Sequence, residues 1–204
     1  MKLVVMTFVS LDGVYQGPGS PDEDRSDGFS RGGWFVPYLE QGFLDQARRW
    51  LEQADGLLLG RQTYESFARD WPEMNKPDDA IGLMMNRLPK YVASATLEAT
   101  NWGPATVLGA DVLKQVEALK ARDGGELQVH GSGSLAGSLL AAGLVDELRL
   151  VVAPVIVGAG HRLFARDGVA TAMRALRNDT TPGGLNIQVF ERVGEAKYET
   201  FQRP

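Results

Sequence analysis

The chain has 204 residues, 44% of them hydrophobic and 23% charged, with a formal net charge of -5 and a pI near 5.1. That length and composition predict one soluble globular domain over residues 1–204 with a substantial core. No long basic run offers a footprint for nucleic acid, and the lack of cysteine excludes disulfides, thiolate metal sites and cysteine nucleophiles.

The two histidines, His130 and His161, lie far apart, so there is no local histidine metal motif. Lys2 to Val9 is a continuous apolar run rich in Val, as expected of a strand covered on both faces. It has no small-residue cleavage site and reads as a buried strand rather than a signal peptide. No apolar run approaches the roughly 18 residues of a membrane span. The simplest location is cytoplasmic.

Ser10-Leu11-Asp12-Gly13 ends the first strand. Gly13 to Gly33 is rich in Gly, Pro, Ser and Asp and reads as a long mobile loop, either a functional lid or a floppy insertion. Pro37 to Gln53 has helical spacing, with Leu39, Phe43, Leu44, Ala47, Trp50 and Leu51 on one face and Pro37 in the first turn. Asp55 to Gly60 is a short buried strand, and a helix starts directly from Gly60 with Arg61-Gln62-Thr63-Tyr64. Pro72 stops it. Asp78 to Arg87 is a short helix, Lys90 to Ser94 a third strand and Ala105 to Gly109 a fourth. Asp111 to Arg122 is a helix with Asp111 as N-cap and Val112, Val116 and Leu119 inward.

Gly125 to Phe164 is the stretch around which the chain is organised. Glu126 to His130 is a strand, Gly131-Ser132-Gly133-Ser134 a turn, Leu135 to Ala142 a helix and Val145 to Val157 another strand. A glycine turn at a helix N-terminus leaves N–H groups free beside the positive end of the helix dipole. Phosphate groups bind at such places. Beyond it, Thr171 to Arg177 reads as helix. Leu185 to Val193 and Ala196 to Gln202 read as an antiparallel hairpin turning at Gly194-Glu195. Strands alternating with helices, then strands alone, predict an α/β domain with a mostly parallel sheet and an antiparallel C-terminal hairpin.

Gly131, Gly133 and Ala136 fit the dinucleotide-binding pattern. That pattern also places an acidic residue about 20 positions on, where this chain has Leu150, Val151 and Val152. A second strand–glycine–helix junction, at Gly60-Arg61, carries the residue type suited to forked phosphate contacts. Thr63 adds a hydroxyl. Each junction also has a bland reading: a glycine turn that merely lets helix and strand pack closely, and Arg61 as a solvated surface charge with Thr63 as a cap. Two at the carboxyl ends of one sheet point to a nucleotide crevice.

Several motifs in order resemble the dihydrofolate-reductase-like superfamily, above all the reductase domain of the riboflavin-biosynthesis deaminase/reductase. They are Ser10-Leu11-Asp12-Gly13, Gly60-Arg61-Gln62-Thr63-Tyr64, Leu88-Pro89-Lys90-Tyr91-Val92-Ala93-Ser94, Val129-His130-Gly131-Ser132-Gly133-Ser134-Leu135, Val145-Asp146-Glu147-Leu148, Pro154 and Gly158-Ala159-Gly160. The resemblance covers nearly the whole chain. It implies a three-layer fold on a sheet of about eight strands and an NADPH-dependent reductase acting on a pyrimidine- or pterin-type substrate. By motif position, Arg61 and Thr63 would contact the 2′-phosphate side or the diphosphate, Ser94 the adenosine, and Gly131, Ser132, Gly133, Ser134 and Leu135 the diphosphate. Val9 and Ser10 would flank the nicotinamide, with the 13–33 loop as lid. Asp12 and Asp45 are the candidate catalytic carboxylates. Asp12 could equally stabilise the turn before Gly13, and Asp45 be a solvated helix charge. Tyr15, Trp34 and Tyr38 are candidate walls for a planar substrate, whereas Phe43 and Trp50 are assigned to the core. No zinc deaminase part is present, because there is no cysteine. The resemblance also implies a homodimer, for which the C-terminal hairpin offers an edge. The alternatives are dihydrofolate reductase-like activity, a non-catalytic nucleotide-binding protein that kept the fold, and an unrelated Rossmann dehydrogenase.

Overall fold

The computed structural model of the chain describes residues 1–164 and 168–201. Strand β1 (Lys2–Ser10) lies at its centre, paired in parallel with β5 (Glu126–His130) on one side and β6 (Glu147–Ala153) on the other. Its Val-rich run is hidden on both faces, and Leu3, Val4 and Val5 are completely buried. Beyond β5 come β2 (Ala54–Gly60), β3 (Lys90–Ala93) and β4 (Ala105–Leu108), all parallel. Beyond β6 come β8 (Asn186–Glu195) and β7 (Thr171–Thr180), both joined antiparallel. The sheet has eight strands in the order β4-β3-β2-β5-β1-β6-β8-β7.

Alternation along the strands divides the core into layers. Leu3, Val5 and Val9 face α4 (Val112–Lys120) and α5 (Gly133–Ala141), meeting Val116, Leu119, Ala136 and Leu139. On the other face, Met6 and Phe8 pack with Phe43 and Trp50 of α1 (Gln41–Leu51). Leu57, Leu59 and Val92 pack with Tyr64 of α2 (Arg61–Asp70) and Met85 of α3 (Ala80–Arg87). This is the three-layer α/β arrangement of dihydrofolate-reductase-like proteins. No helix among the described residues is long and apolar enough to cross a membrane.

Four segments depart from the sequence expectation. Thr171 to Arg177 is not helix but most of β7, in register with β8 from Thr171 opposite Glu195 to Thr180 opposite Asn186. Ala, Met, Leu and Arg favour helix locally, and pairing with β8 overrides that weak preference. The hairpin therefore turns at Thr181–Leu185, where Gly184 N–H donates to Thr181 O at 2.9 Å, and not at Gly194-Glu195, which ends β8. Residues 196–201 form no strand, and Gln202 lies outside the described residues. Pro37 sits in a separate 3-10 turn, Val36–Tyr38, and α1 starts four residues later at Gln41. Leu39 and Leu44 consequently face solvent, while Phe43, Trp50 and Leu51 are buried.

The Gly13–Gly33 segment is a strap fastened along its length. Tyr15 N–H donates to His161 O at 3.0 Å, and Val14 forms a bridge with Arg162. Gln16 is buried, its amide donating to Ser26 and its carbonyl accepting from the N–H of His161. Trp34 Nε1 closes the strap by donating to Gln16 O at 2.8 Å. Trp34 thus belongs to the core, as do Phe43 and Trp50, and Tyr38 packs against the same cluster.

Candidate functional site

The carboxyl ends of β1, β2, β3 and β5 open into one cavity of about 710 Å³. That is within the range of roughly 300–1,000 Å³ typical of small-molecule sites. In an open α/β sheet this is also where ligands are received.

Both glycine junctions line the cavity, and a single side chain fastens them together. Ser132 Oγ accepts from Gly60 N–H at 3.0 Å and donates to His130 O at 3.0 Å. It does so from a left-handed backbone, φ 51°. The adjacent Gly131 has φ 55°. A Cβ built on Gly131 would rest 3.8 Å from both branches of the Thr63 side chain, so the hydroxyl of α2 stands beside the turn before α5. The N–H groups of Gly133, Ser134 and Leu135 find no acceptor among the described residues. They form the positive end of α5 and point to an anion. Across from them, Arg61 Nε donates to Glu65 at 2.7 Å and its Nη1 to Thr96 at 2.5 Å. The guanidinium is held at the rim and is about half exposed.

The strap forms the facing wall. Tyr15 lies directly over Gly133: a Cβ there would come within 2.2 Å of the ring. Burial pushes the Tyr15 phenol up, with Ser134 opposing. Asp24 accepts from Gln62 of α2 at 3.0 Å, joining strap to helix. Burial alone would raise the Asp24 carboxyl, but hydrogen bonds from Ser26 and Gln16 and the nearby His161 outweigh it and hold it low. Glu23 is pushed up by burial. Among the described lining residues Arg61 is the one cation, against the carboxylates of Glu23, Asp24 and Asp111. The anion-seeking character of the site therefore rests on Arg61 and on helix N-termini.

The floor is made by Met6, Thr7 and Phe8 of β1 and His130 of β5. Thr7 Oγ1 is a buried side-chain atom with no hydrogen-bond partner among the described residues. A buried hydroxyl without a partner costs about 1–3 kcal/mol, so Thr7 marks a place for a ligand atom. The α5 cradle, the Arg61 rim and this orphaned hydroxyl fit a phosphorylated dinucleotide laid across the end of the sheet.

Of the residues singled out from sequence, Gly60, Arg61, Thr63, Ser94 and Gly131 to Leu135 all line this cavity, as does Tyr15. Four do not. Val9 points into the core under α4 and α5. Ser10 is buried, its hydroxyl donating to Asp12 at 2.6 Å and accepting from Val14 N–H at 2.9 Å. The strand end facing the cavity lies earlier, at Met6 to Phe8. Asp12 accepts from the N–H of Val157 at 3.0 Å and of Gly158 at 2.9 Å, and from Arg162 at 3.3 Å. The Ser10 hydroxyl above all, with these N–H groups, lowers its pKa to about 2. Asp12 is thus an ionised tie between two loops, the turn-stabilising alternative, and not a proton donor at neutral pH. Asp45 lies on α1 and accepts from Gln41 one turn away at 3.0 Å. Met6, Thr7, Phe8, His130, Glu23 and Asp24 have no site role in the sequence reading. Thr7 is the one polar side chain between Leu3 and Val9, and a β-branched residue is ordinary in a strand.

Comparison with known proteins gives this arrangement its context. The RibD C-terminal domain family matches residues 1–186. An uncharacterized protein of Bacillus subtilis (strain 168), YyaP, is 28% identical over 165 residues, which is 80% of each chain. A diaminohydroxyphosphoribosylaminopyrimidine deaminase/5-amino-6-(5-phosphoribosylamino)uracil reductase from Thermotoga maritima superposes with TM-score 0.63 at 11% identity, over 94% of this chain and 56% of that one. A dihydrofolate reductase from Enterococcus faecalis, complexed with NADP(H), superposes with TM-score 0.60 at 12% identity, over 94% of this chain and 96% of that one. The family match spans most of the chain and the fold is that of the reductases: the chain belongs to the RibD C-terminal domain family.

Proposed function

We propose that the chain is an NADPH-dependent reductase that delivers hydride to a pyrimidine- or pterin-type ring, in the manner of 5-amino-6-(5-phosphoribosylamino)uracil reductase. The observation that carries this reading is the pair of glycine junctions clasped by Ser132, with α5 N–H groups that have no acceptor among the described residues on one side and Arg61 on the other. When bound, NADPH supplies the hydride. The chain's own part is to bind, orient and exclude water. Gly133, Ser134 and Leu135 would hold the diphosphate through their N–H groups. Arg61 and Thr63 would take the 2′-phosphate side, and Ser94 would lie by the adenosine. Met6, Thr7 and Phe8 would flank the nicotinamide, replacing Val9 and Ser10 in that role. Tyr15 and the strap would cover the cofactor from outside. The direct test is titration of NADPH against intrinsic tryptophan fluorescence and melting temperature, followed by NADPH consumption across a panel of reducible pyrimidines and pterins. Binding with preference over NADH is the expected result. No response at millimolar cofactor overturns the reading.

A further inference from the structure

Beneath the cavity floor runs a buried polar chain that the proposed hydride chemistry does not use. Lys2 Nζ donates to Glu147 at 2.6 Å, and Arg149 Nε donates to the same carboxylate at 2.6 Å. The two terminal nitrogens of Arg149 make a forked contact with Glu126 at 2.9 and 2.6 Å. Arg149 also lies over the Trp50 ring, 5.1 Å from its centre. Gln128 Nε2 donates to Glu126 at 2.7 Å and to Trp50 O at 2.7 Å. His130 Nε2 then meets Gln128 Oε1 at 3.1 Å. Apart from the Lys2 end, these side chains are buried, and burying charge is costly unless every group is satisfied.

The chain leads to one consequence at its cavity end. Both acceptors around Gln128 Nε2 are fixed, a carboxylate and a carbonyl, so the amide cannot flip. Its Oε1 must therefore accept, and His130 Nε2 must carry the proton. Burial, reinforced by Arg149, lowers the imidazole pKa to about 4, so the ring is neutral at physiological pH. A neutral imidazole protonated on Nε2 leaves a lone pair on Nδ1. Nδ1 has no partner among the described residues, and His130 lines the cavity. Met6, which registers with His130, and Phe8 and Phe67 line the same cavity, giving it apolar and aromatic walls suited to a flat ring.

We infer that His130 uses its Nδ1 as a fixed acceptor for an amide N–H carried on a planar ring in the cavity, with Gln128 as the positioning residue that sets the tautomer. The inference rests on the NADPH-dependent reductase reading above and adds a specificity determinant to it. Two sources supply that chemistry: the carboxamide of the nicotinamide, or a ring lactam of the substrate. Because Nδ1 cannot donate, the site selects against a carbonyl oxygen presented at the same place.

The experiment uses the full chain with ¹⁵N-labelled histidine. Only two histidines occur, and His161 is separated by its exposed contact with Asp27. In the free protein at pH 7, His130 is expected to show a proton on Nε2 and a bare Nδ1; a proton on Nδ1 overturns the inference. Tryptophan fluorescence next establishes whether NADPH binds. If it does not, the reductase reading falls and takes this inference with it. If it binds, the bare-nitrogen resonance should move upfield with NADPH but not with the analogue bearing acetyl in place of carboxamide, which assigns the N–H to the cofactor. A shift that comes only when 6-aminouracil is added to the NADPH complex assigns it to the substrate. NADPH binding with neither ligand moving the resonance overturns the role of His130 and leaves the reductase reading standing. His130→Leu should weaken the responsive ligand by roughly three- to tenfold. His130→Gln keeps a donor for Gln128 and an acceptor for the ligand, and should recover most of the loss. Equal loss in both variants also overturns the role.

Discussion

Ser132 Oγ accepts the N–H of Gly60 at 3.0 Å, and through that bond the turn before α5 is locked to the start of α2. These residues are 72 apart in sequence, yet they join the two helix N-termini on which the proposed cofactor site depends. The same hydroxyl donates to His130 O, so it cannot also serve a phosphate as donor. Ser132 builds the cradle, and under the proposed function the N–H groups beside it would do the binding. Ser132→Ala leaves the Gly60 N–H without its acceptor and keeps a Cβ residue at φ 51°. A loss of roughly 1–3 kcal/mol in stability is expected, measured by denaturant unfolding, together with weaker NADPH binding. An affinity unchanged while stability falls would mean the two junctions do not need each other.

Arg61 is the sole cation among the described lining residues, and its present partners, Glu65 and Thr96, leave it about half exposed at the rim. Under the proposed function it is therefore the residue on which preference for the phosphorylated cofactor would rest. A charge-assisted contact with a phosphate is worth roughly 1.5–3 kcal/mol. Arg61→Ala should weaken NADPH by about ten- to a hundredfold and leave NADH nearly unchanged, as isothermal titration would show. An equal loss for both cofactors would move Arg61 to the diphosphate, and no loss for either would remove it from the site.

Gly133 is one of the three small residues that fit the dinucleotide-binding pattern. The structure adds a second demand, because the Tyr15 ring occupies the space a Cβ would need. Gly133→Ala should be overpacked by roughly 1–3 kcal/mol and displace the strap. In a Tyr15→Ala background the same substitution should be much less costly. A double-mutant cycle on unfolding free energies reads the difference as a coupling. Additive losses would mean that Tyr15 yields freely and that Gly133 serves the backbone alone.

Local chemistry carried most of the sheet. The apolar run of β1, the glycines before α2 and α5, and the spacing of Val116 and Leu119 each signal their element within a few residues. What could not be read depends on contacts distant in sequence. Leu58 and Val129 lie side by side in β2 and β5, and that adjacency makes the two glycine junctions one site. Asp12 meets Val157, 145 residues away, so nothing near it in sequence shows whether it is a free acid or a tie. Thr171 to Arg177 has the residues of a helix and is held as a strand by its β8 partner. The polar chain from Arg149 to His130 alternates with apolar residues along β5 and β6, and each member alone looks like a flaw in a buried strand. Only the paired strands show that the flaws complete one another.

The depressed pKa of His130 makes a statement about stability against pH. In the unfolded chain the imidazole takes up a proton near pH 6.5; in the folded chain it does so only near about 4. Between these values the unfolded state binds the extra proton. Stability therefore falls as pH drops from about 6.5, with a limiting slope of about 1.4 kcal/mol per pH unit. Below the folded value both states are protonated and the slope from this group ends. Asp12 contributes in a lower window, from its ordinary value of 3.8 down to about 2, and also loses stability as pH falls. Glu23, raised by burial, works in the opposite direction, since the folded state binds its proton first. The difference between wild type and His130→Gln isolates the imidazole. Unfolding measured from pH 7 to pH 4.5 should show the wild type losing stability faster than the variant throughout. Parallel curves would mean that the imidazole titrates normally, and that burial and Arg149 do not hold it neutral.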